Sequence, residues 1–222
     1  MLRIGHRGAA GHAPENTLRS IEQAIALGCD LVELDVRRIR DGDLVLLHDE
    51  RVDRTTNGRG TVARMVLRSL RKLDAGSGER IPTLEEALRA ANGRIGLILE
   101  LKAEGIGGQA CTVVRQSAFS GQTIYASFKH EELLRVRQAE PIAMTMALFK
   151  RLPKDPVSAA MYVHATHVGL RHDTVTKPLV KALHAAGLRV LAFTVNEPSD
   201  IKRVRSLDVD GIISDFPDRV VL

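Results

Sequence analysis

Two pairs of polar residues sit inside apolar, strand-like runs, and they bound the chemistry open to this chain. Glu33 and Asp35 lie in Asp30-Leu31-Val32-Glu33-Leu34-Asp35-Val36, and Glu100 and Lys102 in Leu97-Ile98-Leu99-Glu100-Leu101-Lys102. Residues i and i+2 of a β-strand share a face, so each pair projects from one side. The surrounding Leu, Ile and Val read as core, where a charge must be paired, hydrogen-bonded or bound to metal. Three carboxylates clustered without a cation would repel by about 4 kcal/mol per pair at ~4 Å and an effective dielectric of ~20. Lys102 offsets one charge, and a divalent cation would offset the rest. All-oxygen ligands suit Mg²⁺, Ca²⁺ or Mn²⁺ rather than Zn²⁺. An ion-pair network with Lys102 and Arg7 as partners is the rival account of the same acids.

Other chemistry-bearing residues fall at the ends of neighbouring apolar runs: His6-Arg7, His48-Asp49, Ser127-Phe128 and Phe193-Thr194. A lone histidine there is usually structural. Two beside an acid cluster point to proton transfer, because imidazole can take or give a proton near neutral pH. Arg7 and Lys102 would then hold a phosphodiester, whose negative charge grows in its transition state. Gly8 and Gly11 give a tight backbone after the first run. No GxGxxG or Walker sequence is present, so nucleotide binding has no support. Ala13-Pro14-Glu15-Asn16-Thr17 reads as the start of a helix, with Pro and Glu in its first turn; a structural role and a substrate contact fit it equally.

The elements that must position these residues alternate. Strands are expected at 2–6, 31–36, 95–101, 123–127, 142–147, 167–170, 190–195 and 210–214. Helices are expected at 15–27, 84–91, 107–118, 131–138, 156–162, 177–186 and 199–206. Eight strands with helical crossovers make an α/β protein with a parallel sheet, best closed as a (β/α)₈ TIM barrel. A doubly wound open sheet is the alternative. Barrel sites form at the C-terminal ends of strands, where the residues above collect. Residues 37–82 are too long for one loop. They hold a hairpin turning at Asp41-Gly42-Asp43 and returning through 44–47, then a small insertion at about 51–81. The last helix is at most the short segment 218–222, a trimmed end to the barrel.

With 222 residues, the chain is expected to form one domain, 1–222. Net charge is +5 and the pI about 9.5, which favours anionic partners. Aromatic residues are only 3% and no Arg-rich run occurs, against a nucleic-acid binder. The two cysteines form no disulfide framework or metal pattern. No apolar stretch approaches a membrane span and no signal-peptide core precedes the first strand, so a cytoplasmic location is expected. The residues alone also allow an aldolase- or isomerase-type metal barrel.

The ordered set His6-Arg7-Gly8, Pro14-Glu15-Asn16-Thr17, Glu33-x-Asp35, His48-Asp49 and Thr56-Asn57-Gly58-Arg59-Gly60 continues through the rest of the chain. Glu100-x-Lys102, Ser127-Phe128, Thr194-Val195-Asn196 and Asp210-Gly211-Ile212-Ile213-Ser214-Asp215-Phe216-Pro217 complete it. Together these residues, spanning Gly5 to Pro217, resemble the glycerophosphodiester phosphodiesterase family. The resemblance implies a TIM barrel with a cap inserted after its second strand. It implies hydrolysis of glycerophosphodiesters to glycerol 3-phosphate and an alcohol. On matching positions, Glu33, Asp35 and Glu100 would bind one divalent cation, Mg²⁺ or Ca²⁺. His6 and His48 would be the general acid–base pair, and Arg7 and Lys102 would hold the phosphate. Phe128 and Phe193 would line the substrate pocket. The family often has Trp where this chain has Phe193, which keeps an apolar wall but loses a donor. The short, basic insertion favours a soluble diester over a membrane lipid. The partner expected is thus a small molecule, with no nucleic acid and no membrane span.

Overall fold

A computed structural model describes residues 1–220. Eight parallel strands close into a barrel: β1 (Leu2–His6), β2 (Leu31–Arg38), β4 (Gly96–Leu101), β5 (Thr123–Ser127), β6 (Met144–Leu148), β7 (His167–Arg171), β8 (Arg189–Phe193) and β9 (Gly211–Ser214). β9 pairs with β1 and β1 with β2, so the sheet has no open edge at the seam. This excludes the doubly wound sheet. Strand β3 (Leu44–Leu46) returns antiparallel on β2, as the hairpin signal predicts.

The strands alternate because each faces two cores. Ile4, Ile98, Ile124, Met146, Leu191 and Ile213 fill the barrel. The opposite faces pack on the crossover helices: Leu34, Leu97 and Leu99 on one side, Val168, Val190 and Ile212 on the other. Those helices are α1 (Leu18–Ala26), α3 (Leu84–Ala91), α4 (Gly107–Gln116), α5 (His130–Ala139), α6 (Pro156–Tyr162), α7 (Lys177–Ala185) and α8 (Pro198–Arg205). The insertion carries the short α2 (Leu67–Leu70) and its own cluster of Ile39, Val52, Val62, Leu70 and Ile81.

Several boundaries move. The first helix begins at Leu18, not at residue 15, because Thr17 caps it in a reciprocal pair with Ser20. Asn16, at φ 57°, cannot continue a helix backwards. Pro14 and Glu15 therefore belong to the turn before the helix. The strand expected at 142–147 runs Met144–Leu148, and that at 190–195 runs Arg189–Phe193. After β9 the described chain makes a 3₁₀ turn, Pro217–Arg219. The remainder of the expected segment 218–222, residues 221 and 222, lies outside the described residues.

Helix α4 has no side-chain cap of its own. The buried Glu132 of α5 supplies one, accepting the backbone N–H groups of Gly105, Ile106 and Gly107 at 2.7, 2.9 and 2.8 Å. One carboxylate thus satisfies three donors at a helix start, where negative charge is favoured. It also pins the loop that follows Lys102.

Candidate active site

Register brings the chemistry together. Glu33 on β2 lies opposite His6 on β1, and Asp35 opposite Glu100 on β4. After His6 the chain turns through Arg7 at φ 51°, a strained conformation for a non-glycine residue. Gly8 follows at φ 87°, where a Cβ would collide with Ser20. The turn aims the Arg7 backbone N–H at Glu33 Oε2, 3.0 Å away.

One oxygen each from Glu33, Asp35 and Glu100 lies within 4.8 Å of the others. Glu33 and Asp35 are buried, 4% and 1% exposed. Cations do reach the cluster: Lys102 Nζ is 2.7 Å from Glu100 Oε1 and 3.4 Å from Asp35 Oδ1, and Arg7 Nε is 3.2 Å from Asp35 Oδ2. Even so, Glu33 Oε1 and Asp35 Oδ1 are buried without a hydrogen bond. The ion-pair network is real and leaves these acids incompletely satisfied. Their donor set fits a hard divalent cation.

The electrostatics agree. Burial, then neighbouring Asp35, pushes the Glu33 carboxyl well above the usual range. Glu100 is raised by the same two causes, against Lys102. Burial also opposes ionisation of Asp35, but Lys102 and Arg7 outweigh it and hold this acid low. Asn16 fixes Asp35 twice: Nδ2 donates to Oδ2 at 2.8 Å, and Oδ1 accepts its backbone N–H at 3.0 Å.

Each histidine is held by a carboxylate. His6 Nδ1 is 2.6 Å from Asp215 Oδ1, and Asn196 Nδ2 in turn donates to Asp215 Oδ2 at 2.6 Å. His48 Nδ1 is 2.6 Å from Asp49 Oδ1. A carboxylate at Nδ1 fixes a proton there and leaves Nε2 for the reacting side. Burial lowers the His6 pKa, but the Asp215 hydrogen bond and Glu33 reverse this to a net rise. His48 is lowered by burial, reinforced by Lys102 and Arg7 against Asp35 and Asp49. Arg54, from the insertion, donates Nε to Asp49 Oδ2 at 2.6 Å and both terminal nitrogens to Glu15 at 2.7 and 2.8 Å. Glu15 also accepts from Arg7 Nη1 at 2.9 Å. A continuous chain of charges therefore links His48 to Arg7.

A cavity of about 300 Å³ opens on this cluster, with His6, Glu33 and Glu100 on one wall and Phe128, Met146, Leu148 and Phe193 on the other. The Phe128 and Phe193 rings meet edge to face at 6.0 Å.

The model of the glycerophosphoryl diester phosphodiesterase family matches residues 6–219. The chain belongs to that family. It is 34% identical over 233 residues to the glycerophosphodiester phosphodiesterase of Caldanaerobacter subterraneus, covering 99% of this chain and 96% of that one. The Oleispira antarctica phosphodiesterase, solved in complex with the product sn-glycerol-3-phosphate, superposes with a TM-score of 0.91 at 30% identity, covering 98% of this chain and 94% of that one. A glycerophosphodiester phosphodiesterase of Agrobacterium tumefaciens gives 0.88 at 32% identity, covering 99% of each chain. As a family member the protein is a phosphoric diester hydrolase.

All nine residues singled out in the sequence gather at this phosphodiesterase's barrel mouth. The sequence assigns no role to Asp215, Asn196 or Arg54, and offers Glu15 and Asn16 only as part of a helix start or a substrate contact. Asp215 was within reach, since it directly follows an apolar strand and the strand-end rule applies to β9 as to the others. Arg54 carries no such signal, because a surface arginine in a loop looks the same whether or not it is clamped.

Proposed function

We propose that this protein hydrolyses soluble glycerophosphodiesters to glycerol 3-phosphate and an alcohol. It would use one divalent cation, Mg²⁺ or Ca²⁺, and two histidines that carry protons. The observation that supports this reading best is the pair of buried acid oxygens without a hydrogen bond, Glu33 Oε1 and Asp35 Oδ1, in a cluster flanked by two carboxylate-held imidazoles. Glu33, Asp35 and Glu100 would hold the cation, which when bound polarises the phosphoryl group and offsets its charge. Arg7 and Lys102 orient the phosphate oxygens and stabilise the second negative charge of the transition state. One imidazole takes the proton of the attacking group, and the other gives a proton to the alcohol oxygen as its bond to phosphorus breaks. Attack by water gives glycerol 3-phosphate directly; attack by the glycerol 2-hydroxyl gives a cyclic phosphate, which water then opens to the same product. Phe128 and Phe193 wall off the carbon side of the substrate.

A soluble diester is favoured because the large exposed apolar side chains lie elsewhere among the described residues. Met1 precedes β1, Leu134 is on α5, Ile142 at the approach to β6, and Met161 and Tyr162 at the end of α6. No helix among the described residues is long and apolar enough to cross a membrane. Two free thiols, Cys29 and Cys111, suit a cytoplasmic location. A small-molecule partner, with no nucleic acid, fits a cavity this size.

The test is release of glycerol 3-phosphate from a panel of glycerophosphodiesters, with and without chelator. Turnover that stops on chelation and returns with Mg²⁺ or Ca²⁺ is expected. Full activity in EDTA would remove the metal from the reading, and inertness toward every diester would remove the function. His6→Ala and His48→Ala should each lower kcat by about 10²–10⁴-fold. A loss of tenfold or less would reject that residue's role.

A further inference from the structure

We infer that the alcohol half of the preferred diester carries a phosphate of its own, received by a cationic groove of Arg37, Arg38, Lys129 and Lys150. The inference rests on the hydrolysis proposed above and names its substrate class.

Space sets the direction. The cavity at His6 and Glu33 is the smallest of the three spaces, about 300 Å³ with open solvent included, and its apolar wall suits the carbon face of a three-carbon fragment. Glu100 and Phe128 also line an adjoining groove of about 530 Å³, open solvent included. Arg37, Glu50, Lys102 and Lys129 continue that groove into a wider one of about 740 Å³ under the insertion. A diester with its phosphate at the acid cluster and its glycerol in the small cavity sends its alcohol along this path.

Charge sets the chemistry. The inward face of β2 reads Glu33, Asp35, Arg37, so Arg37 stands one layer above the acids. Its guanidinium is half-buried and donates only to the His48 carbonyl, at 2.9 and 2.8 Å. Arg38 likewise meets only carbonyls, those of Glu104 and Gly105. Lys150 has no ion pair among the described residues. Three cations thus face one groove without a carboxylate bonded to any of them. The groove's acids are Glu100, held by Lys102; Glu104, 83% exposed and held by Lys129; and the exposed Glu50. Two other rim arginines are paired: Arg54 with Asp49 and Glu15, Arg171 with Asp173. Unpaired guanidinium and ammonium groups around one groove recognise phosphate oxygens. A quaternary ammonium such as choline is drawn to aromatic faces and acids; here Phe128 and three acids stand against five cations, Arg37, Arg38, Lys102, Lys129 and Lys150, so it would meet a net repulsion.

The experiment compares kcat/KM of the full chain, with divalent cation present, on glycerophosphoinositol 4-phosphate, glycerophosphoinositol and glycerophosphocholine. The first two differ only in the extra phosphate. A preference of at least tenfold for the phosphorylated diester is expected at low salt, shrinking as ionic strength rises. Replacing both exposed lysines (Lys129→Gln with Lys150→Gln) should cut that ratio at least fivefold. Lys181→Gln, on the far helix α7, should leave the ratio within twofold. Glycerol 3-phosphate release at equal rates from all three, or fastest from the choline diester, would overturn this inference and leave the hydrolysis standing. Release from none of them would overturn both.

Discussion

At the scale of single residues, the site depends on side chains that hold its acids in place. Asn16 binds Asp35 through both its side-chain oxygen and nitrogen, so it fixes one metal-ligand candidate in rotation and position. Partners of this kind are worth about 10–100-fold in metal affinity. Asn16→Gly, which tolerates φ 57° while deleting the amide, should weaken Mg²⁺ or Ca²⁺ binding by about that factor in a calorimetric titration. Unchanged affinity would mean that Lys102 and Arg7 hold Asp35 unaided. The acids themselves were legible from sequence because charges at i and i+2 of an apolar strand are too costly to bury without a partner or a metal. Asn16 was not, because its motif matched ordinary helix-start signals equally well; only its left-handed backbone and its reach across to β2 separate the two readings.

At the scale of elements, the insertion is bound to the catalytic turn by one arginine. Arg54 closes a fork on Glu15 and a single bond on Asp49, so it sets both the partner of His48 and the partner of Arg7. Arg54→Ala should lower kcat/KM about tenfold, the order expected when reacting groups drift from alignment. Arg54→Lys should recover only part, since an ammonium cannot reproduce the planar fork. Steady-state kinetics on one soluble diester would decide it, and wild-type values in both variants would show that the insertion is not a positioning element. The hairpin was readable from Asp41-Gly42-Asp43 flanked by apolar runs. The start of α1 was misplaced because proline and glutamate occur both inside first turns and just before them. Thr17 and Ser20 decide the boundary by capping each other.

At the scale of the whole molecule, the two ends of the barrel serve different ends. The alternation of strand and helix was legible throughout, because every strand had to bury both faces. Closure was legible only as a count of eight; the pairing of β9 with β1 is a long-range fact that no local pattern encodes. Far from the mouth, His167 begins β7 with its Nδ1 beside Thr166 Oγ1 at 2.7 Å and its Nε2 buried without a partner. Burial, then Arg189, lowers its pKa to about 4. With a folded value below the unfolded ~6.5, the neutral ring is tolerated above pH 6.5, and stability is lost as pH falls from there toward 4. The loss at pH 4.5 should be about 2–3 kcal/mol. His167→Gln should narrow the gap in unfolding free energy between pH 7 and 4.5 by that amount in urea melts. An unchanged gap would assign acid lability to the carboxylates alone. The Arg54 clamp has a last consequence, for building chimaeras. A loop transplanted from a relative without that arginine would leave Glu15 with Arg7 alone and Asp49 with His48 alone, so the insertion and the turn after β1 have to be exchanged as one cassette.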